Sequence, residues 1–469
     1  MRKPPADYSL AALSGLLLSA SFAPASLGWT AWVALTPLFL ALLGAAGPGR
    51  AFLLGGTAGL VFYSVSLSWM ADVVHYLAPV FWGVFALWMA VHSALARGLW
   101  EALGRRPSRA GAFAWASAAG LCWAGLEYFR SEVWGLRCPW LGLGYSQTFV
   151  PPFFQSLSFW GVYGLSAFIA AANAAWALAL KRRRLPAALF LTAGLAAAGL
   201  GALRLTSSGI ASDGRPLRAA LVQAERETVD GLLGLSLSSA AARSDLLVWP
   251  ECSVMMPGET SPSYAALIAR GLRGYPGEAV IGACAPEDRS RGVRRANFAM
   301  FFGRGGLSGV YDKMHPVQFV ETGLPSNRKP EPEATPLGRL GPQICYDLAF
   351  ENGSRAMAAR GAELLVTPTL DPAEWGDLQH TQHSDMTAAR AVETGLWIVR
   401  AASSGRSQII DPLGRERASL PNGARGVLAG EARLRAAGTF YTKAGWLAGP
   451  LSLLFTAGAA LFVFIRKRI

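Results

Sequence analysis

Charged residues are scarce in this chain. Only 16% of its 469 residues are Asp, Glu, Lys or Arg, whereas 52% are hydrophobic and 16 are Trp. The mean hydropathy is +0.30. This balance excludes an ordinary soluble globular protein and indicates a membrane protein.

Acidic residues are the rarer of the charged ones, with 30 Asp and Glu against 43 Lys and Arg and a formal charge of +13. A basic surplus of this kind is typical of proteins that bind nucleic acid. Here, however, the basic residues of the apolar part of the chain form short groups that flank its apolar stretches. We therefore predict no nucleic-acid partner.

Cysteine is rare as well, and the sequence holds no CxxC pair among its five cysteines. Three of them, Cys252, Cys284 and Cys345, lie between residues 205 and 443. Because three is an odd number, at least one of these thiols stays unpaired even under oxidising conditions.

Eight stretches are apolar enough to cross a membrane, which takes about 20 residues in a helix. They lie at residues 8–23, 28–46, 51–70, 77–97, 110–129, 156–180, 185–203 and 444–465. The first follows Arg2 and Lys3 and ends at Ala23-Pro24-Ala25, so it is either a span or a cleaved signal peptide. Its length favours a span.

The basic residues between these stretches indicate an orientation. With eight spans nearly all of them fall on one side of the membrane, and the opposite short loops hold only Arg130 and Arg137. The positive-inside rule then places both termini in the cytoplasm. We expect a membrane domain of seven helices at residues 1–204, an exported domain at 205–443 and a last membrane helix at 444–469. In a bacterium the exported domain would lie at the periplasmic face of the inner membrane.

The segment 205–443 alternates between strand and helix patterns. Short apolar runs predict strands at residues 218–223, 245–249, 279–284, 297–302, 307–311, 363–367, 397–401 and 407–410. Turn sequences at 303–306 and 411–414 predict two hairpins, and helices are expected at 350–360 and 380–393. This pattern is typical of one α/β domain with a large core.

Three residues of this segment have the chemistry of a catalytic set. Glu251 follows an apolar strand and Pro250, which cannot extend a sheet ladder, and Lys313 also stands at a strand end. Cys345 lies between a short apolar run and a helix. Taken singly, each has an ordinary alternative as an exposed acid, a surface lysine or a buried, inert cysteine. At such a turn, a helix N-terminus and a nearby ammonium are expected to lower the thiol pKa below its usual value of about 8.5.

Together, the motifs Trp249-Pro250-Glu251, Tyr311-Asp312-Lys313 and Ile344-Cys345-Tyr346-Asp347 resemble the catalytic motifs of carbon–nitrogen hydrolases, the nitrilase superfamily. Residues 126–130 and 139–147 resemble the membrane domain of the apolipoprotein N-acyltransferase family, and residues 390–395 and 407–414 match its late motifs. The resemblance implies a polytopic α-helical membrane domain with an exported α/β domain, a nitrilase-like αββα sandwich.

That family transfers a fatty acyl chain from a phospholipid to the N-terminal amine of a diacylglyceryl-cysteine apolipoprotein. The resemblance implies Cys345 as the nucleophile that forms a thioester, Glu251 as general base and Lys313 as oxyanion stabiliser. It assigns supporting roles to Glu321, Tyr346 and Asp347, and it requires no metal and no other cofactor.

Two alternatives remain at this point. A membrane-anchored amidase or acyl hydrolase of the same superfamily would share every catalytic residue and use another acceptor. A transporter or lipid-binding scaffold is a rival from another class. The spans lack the paired Gly- or Pro-broken segments that build transport sites, which argues against it.

Some positions depart from the family pattern, because Val320 and Asp347 stand where Gly and Glu are usual. The segments 224–248 and 322–344 also look short, and the second should carry part of a mobile lid over the acyl site.

Four pairs of residues have open or minor interpretations. We do not expect a metal at His380 and His383, and we expect a structural ion pair between Arg390 and Glu393. The remaining two pairs are open: Glu127 and Arg130 either pair with each other or contact lipid headgroups, and Met255 and Met256 either line a lipid entrance or fill the core.

Overall fold

The computed structural model describes residues 4–466, except 104–107, 239–240, 242, 257–261, 287–294 and 322–328. The chain folds as two compact units. The first comprises residues 1–206 and 444–469, and the second comprises residues 207–443.

The first unit is helical. Its longer helices are α1 (Pro4–Ala20), α3 (Thr36–Gly44), α4 (Pro48–Ser66), α6 (Ala78–Ala102), α7 (Arg109–Tyr128), α9 (Leu157–Leu180), α10 (Arg184–Thr206) and α17 (Ala448–Arg466). Short helices α2 (Ala31–Ala34), α5 (Met70–Val74) and α8 (Pro151–Phe154) lie between them. Helix therefore occupies each of the eight predicted stretches.

Four helical segments of the described residues are both long and apolar enough to cross a membrane: Met70–Ala102, Leu157–Leu180, Arg184–Thr206 and Gly445–Arg466. Two shorter apolar helical segments, Ala6–Ala20 and Gly28–Gly44, accompany them. These helices support a membrane protein, whereas the count of eight spans and the orientation stay predictions.

Two buried charged residues of the first unit, Glu127 and Arg130, are satisfied by hydrogen bonds. Glu127 accepts from the Ser166 hydroxyl at 2.6 Å and from the Leu143 amide at 2.9 Å. Arg130 donates to the carbonyls of Cys138 and Trp140 at 2.9 and 3.0 Å. Both side chains therefore fasten the segment that follows α7, and the mutual pair and the headgroup contact considered from the sequence stay predictions.

The second unit is built on two sheets. The strands are β1 (Arg215–Gln223), β2 (Leu246–Val248), β3 (Val254–Met255), β4 (Glu278–Ala285), β5 (Ala296–Gly303), β6 (Gly306–Asp312), β7 (Glu333–Thr335), β8 (Gly338–Pro342), β9 (Leu364–Thr369), β10 (Ile398–Ala402), β11 (Ser407–Ile410), β12 (Glu416–Leu420) and β13 (Gly426–Leu434). The first sheet has the order β13-β1-β2-β4-β5-β6, with β3 beside β4, and the second has the order β12-β11-β10-β9-β8-β7.

Helices cover the outer faces of the two sheets. The helices of this unit are α11 (Ser208–Ser212), α12 (Val229–Ser236), α13 (Pro262–Gly271), α14 (Glu351–Ala359), α15 (Gly376–Thr394) and α16 (Phe440–Lys443). The sheets pack on each other through β1 and β10, while α12 and α13 contact the first sheet and α14 and α15 the second. The αββα sandwich predicted for this part of the chain is confirmed.

Parallel pairing explains why the central strands β2 and β9 are buried throughout. β2 pairs in parallel with β1 and β4, and β9 pairs in parallel with β8 and β10. Strands covered on both faces are buried along their whole length, as β2 and β9 are. Their carboxyl ends reach the rims of their sheets, where the predicted functional residues lie.

Candidate active site

Strand ends deliver the three residues that the sequence singled out. Glu251 follows β2 after Trp249 and Pro250, Lys313 directly follows β6, and Cys345 follows β8 by three residues. Each is almost fully buried, with 3%, 2% and 3% of its surface exposed. The alternatives of an exposed acid and a surface lysine are therefore excluded.

Lys313 lies between two carboxylates. Its Nζ donates to Glu251 Oε1 and to Glu321 Oε2, each at 2.7 Å. The Asn297 amide bridges the same two acids, with contacts of 2.6 Å to Glu251 and 2.7 Å to Glu321. Glu321 also accepts the Val317 amide at 2.7 Å. The ammonium and both carboxylates are thus held by charge-assisted hydrogen bonds.

The Leu370 main chain connects the carboxylate of Glu251 with the thiol of Cys345. The Leu370 N–H donates to Glu251 Oε2 at 2.8 Å, and Cys345 Sγ donates to the Leu370 carbonyl at 3.6 Å. Leu370 directly follows β9 of the second sheet, so its peptide groups contact the carboxylate that follows a strand of the first sheet and the thiol that follows a strand of the second.

A tight turn presents Cys345. The residue has φ +49°, in the left-handed region, and opens a 3₁₀ turn at Cys345–Ala349. Asp347 holds this turn by accepting the Ile344 amide at 3.0 Å and the His315 amide at 2.6 Å. It therefore ties the segment after Lys313 to the turn that carries Cys345, while Tyr346 packs edge-on against Phe350.

The expected low pKa of Cys345 is wrong. Burial is the largest influence and raises the thiol pKa well above its ordinary value, and the negative charge of Glu251 raises it further against the opposing effect of Lys313. The resting sulfur is therefore a protonated thiol that requires a base.

The same burial acts on the carboxylate of Glu251. Desolvation raises the pKa of Glu251, with Lys313 opposing the shift and Glu321 adding to it. For Lys313, burial alone would lower the pKa, but Glu251 and the other negative groups raise it well above its ordinary value. The lysine is a permanent cation beside a carboxylate whose proton affinity is increased, which suits a general base.

Several residues of this site were not found from the sequence. They are Asn297, the Leu370 main chain, and a buried group formed by Asp371, His383 and Arg400. Asn297 left a signal, because it is a polar residue within the apolar run of β5. The Leu370 contacts left none, since they are made by peptide groups.

The remaining predictions have mixed outcomes. Cys252 and Cys284 form a disulfide while Cys345 is free, so the expected unpaired thiol is confirmed. The ion pair of Arg390 and Glu393 is confirmed too. Met256 is core and Met255 is 59% exposed. Residues 322–328 of the expected lid lie outside the described residues.

Comparisons with known proteins give the following matches. The model described as "Apolipoprotein N-acyltransferase N-terminal domain" matches residues 14–175, and the model "Carbon-nitrogen hydrolase" matches residues 218–440. A protein of Geobacter metallireducens named "Apolipoprotein N-acyltransferase" is 33% identical over 99% of this chain and 97% of its own. A protein of Azotobacter vinelandii with the same name is 32% identical over 94% of this chain and 92% of its own.

Among solved structures, a carbon-nitrogen hydrolase from Helicobacter pylori G27 aligns with 46% of this chain and 89% of its own. The two are 21% identical, with a TM-score of 0.40.

Proposed function

Because this chain belongs to the apolipoprotein N-acyltransferase family, we propose that it transfers a fatty acyl chain from a membrane phospholipid to the N-terminal amine of a diacylglyceryl-cysteine lipoprotein. The observation that carries this proposal is the buried set of Glu251, Lys313 and Cys345, which provides a base, a cation and a nucleophile in one site. The more general statement, that the protein is a membrane acyltransferase, rests on its membership of the family.

In the first step Glu251 removes the proton of Cys345 as the sulfur attacks the ester carbonyl of the phospholipid. The carbonyl oxygen gains a negative charge, and Lys313 stabilises this oxyanion. When the intermediate collapses, the bond to the glycerol oxygen breaks, and that oxygen takes the proton from Glu251. The products are a thioester on Cys345 and a lysophospholipid.

In the second step the lipoprotein amine attacks the thioester. Glu251 accepts a proton from the amine, and Lys313 again stabilises the oxyanion. The carbon–sulfur bond breaks, the departing sulfur takes the proton back, and an amide forms. Both steps use the same base in the same order, and the mechanism uses no metal.

The raised thiol pKa supports a base-dependent mechanism. A protonated sulfur is a weak nucleophile, so attack has to be coupled to proton removal by Glu251. Burial contributes a second advantage, since water is kept away from a thioester that it would otherwise hydrolyse.

We also propose that the unit of residues 207–443 lies on the periplasmic side of the inner membrane. The one-sided distribution of Lys and Arg supports this orientation. So does the disulfide between Cys252 and Cys284, because disulfides persist in oxidising compartments.

A product assay tests the function. The purified protein is incubated with phosphatidylethanolamine and a synthetic diacylglyceryl-cysteine peptide, and the peptide is analysed by mass spectrometry. We expect the mass of one added acyl chain, and no addition with Cys345→Ser. Release of free fatty acid without any acylated peptide would instead indicate a hydrolase.

A further inference from the structure

Behind the thiol lies a buried polar group that the proposed mechanism does not use. Asp371 follows β9, His383 lies on α15 and Arg400 on β10, and each is at most 1% exposed. A sulfur, a carboxylate oxygen and an imidazole nitrogen of Cys345, Asp371 and His383 all lie within 4.8 Å of one another.

This donor set resembles that of a zinc site, but its charges do not favour a cation. Asp371 contacts His383 Nδ1 at 2.7 Å through Oδ1, and its Oδ2 forms an ion pair with Arg400. A metal ion would have to compete with the guanidinium for the same carboxylate, so we assign no metal to it.

The group instead anchors the main chain between the base and the thiol. The Asp371 N–H donates to the Ser403 hydroxyl at 3.1 Å, and that hydroxyl donates to the Asp371 carbonyl at 3.2 Å. With its side chain and both peptide groups fixed, Asp371 leaves little freedom to the preceding residue. That residue is Leu370, whose N–H and carbonyl contact Glu251 and Cys345.

We propose that Asp371, held by His383 and Arg400, is a positioning residue that fixes the Cys345 sulfur relative to the Glu251 carboxylate through the Leu370 main chain. The kinetic part of this inference rests on the proposed function. Its chemical part does not, because the thiol can be probed without any acyl substrate.

The charge of Asp371 adds a second effect. Burial alone would raise the pKa of Asp371, but His383 and Arg400 lower it well below its ordinary value, so the carboxylate stays charged. That negative charge raises the pKa of Cys345, after the larger effects of burial and Glu251. The charged and titratable groups near the thiol are Glu251, Lys313, Glu321, Asp371, His383 and Arg400. A thiol kept protonated at rest is less open to oxidation.

Two substitutions separate the position of Asp371 from its charge. Asp371→Asn keeps the shape and removes the charge. Gly405→Ala keeps the charge, but its Cβ would lie 2.2 Å from Asp371 Oδ2 and displace the carboxylate. Asp411→Asn is the matched control, because Asp411 is also fully buried and accepts the amides of Leu413 and Arg415 in a turn at the end of β11.

The chemical experiment measures the rate at which iodoacetamide alkylates Cys345 in the full-length protein as a function of pH. The protein is digested with trypsin after the reaction, and the modified peptide is quantified. In Asp371→Asn the midpoint of the pH profile should fall by about one pH unit, the scale of losing one nearby charge. Gly405→Ala should shift it less, and Asp411→Asn should match the wild type. A wild-type midpoint in folded Asp371→Asn would overturn the electrostatic part.

The kinetic experiment measures acyl transfer for the same proteins. Displacement of the sulfur from the Glu251 carboxylate should lower kcat about tenfold or more in Gly405→Ala with little change in KM. Asp371→Asn, which keeps the shape, should lose less, and Asp411→Asn should retain its kcat. Equal losses in all three variants, or wild-type kcat in Gly405→Ala, would overturn the positioning role. If the wild type itself transfers no acyl chain, the proposed function fails while the alkylation result still stands.

Discussion

At the scale of single residues, the most informative contact is the one between Lys313 and its two carboxylates. A buried ammonium with 2.7 Å contacts to both Glu251 and Glu321 is fixed in place before any substrate arrives. A preorganised cation of this kind stabilises a developing oxyanion without reorganisation at the moment of reaction.

Lys313→Met should therefore lower kcat on the order of a hundredfold, the usual scale for losing one oxyanion stabiliser. Steady-state acyl transfer checks this, with Lys443→Met as the control because Lys443 is exposed. If folded Lys313→Met forms the acyl-enzyme at the normal rate, Lys313 does not act in the first step.

The pH dependence of transfer should report Glu251. The base acts only when deprotonated, and its pKa is raised by burial and by Glu321 against the effect of Lys313. Activity should fall as the pH decreases, with a midpoint above the value of about 4.3 for an exposed glutamate. Glu321→Gln removes one negative neighbour, so the midpoint should move to lower pH. A midpoint that stays in place or rises in this variant would contradict the assignment.

The thiol shows where a sequence argument about a residue can fail. The sequence correctly places Cys345 at a strand-to-helix turn near a lysine, and it predicts a lowered pKa from these neighbours. It does not reveal the depth of burial or that Glu251 is close enough to oppose the lysine. These two influences decide the direction of the shift.

At the scale of elements, local patterns identified most of the strands that carry the site. The predicted hairpin at 303–306 is formed by β5 and β6, with Gly303 opposite Gly306, and the one at 411–414 joins β11 to β12. Each signal was confined to a few neighbouring residues, namely an apolar run and a turn sequence.

Long-range pairings and close approaches were not predicted. β13 pairs with β1, although nearly the whole sequence of the unit separates the two strands, so no local pattern defines the partner of either strand. Gly282 on β4 is another example, since a Cβ there would lie 2.1 Å from the Pro250 carbonyl. The segment carrying Glu251 fits against β4 only because this residue has no side chain.

The disulfide constrains the same segment. Cys252 directly follows Glu251, and its bond to Cys284 ties that residue to β4. Reduction should therefore slow transfer several-fold and lower the thermal stability, because the disulfide closes a loop with a sequence separation of 32 residues and such a bond contributes about 2–4 kcal/mol. Transfer rate and melting temperature are measured with and without a phosphine reductant.

The double variant Cys252→Ser/Cys284→Ser is the control. It should be slow with and without the reductant, because it lacks the bond that the reductant breaks. Full activity of the wild type after mass spectrometry has verified reduction would show that the disulfide does not restrain Glu251.

At the scale of the whole molecule, the apolar helices and the family membership agree on a membrane enzyme, and the proposed orientation makes a prediction of its own. An impermeant thiol reagent applied to intact cells should label Gly305→Cys in the turn between β5 and β6. It should not label Lys181→Cys at the end of α9, which the positive-inside rule places in the cytoplasm. Labelling at position 181 alone would reverse the orientation.

The central claim is that an acyl chain passes through Cys345, and isolation of the intermediate tests it most directly. The protein is incubated with phospholipid in the absence of acceptor, quenched in acid and digested, and the peptide containing Cys345 is weighed by mass spectrometry. We predict one acyl mass on this peptide that is released by hydroxylamine. It should disappear, with matching formation of triacyl product, when the diacylglyceryl peptide is added before the quench. Formation of that product at the normal rate by Cys345→Ser, or without any acyl group on Cys345, would contradict the mechanism.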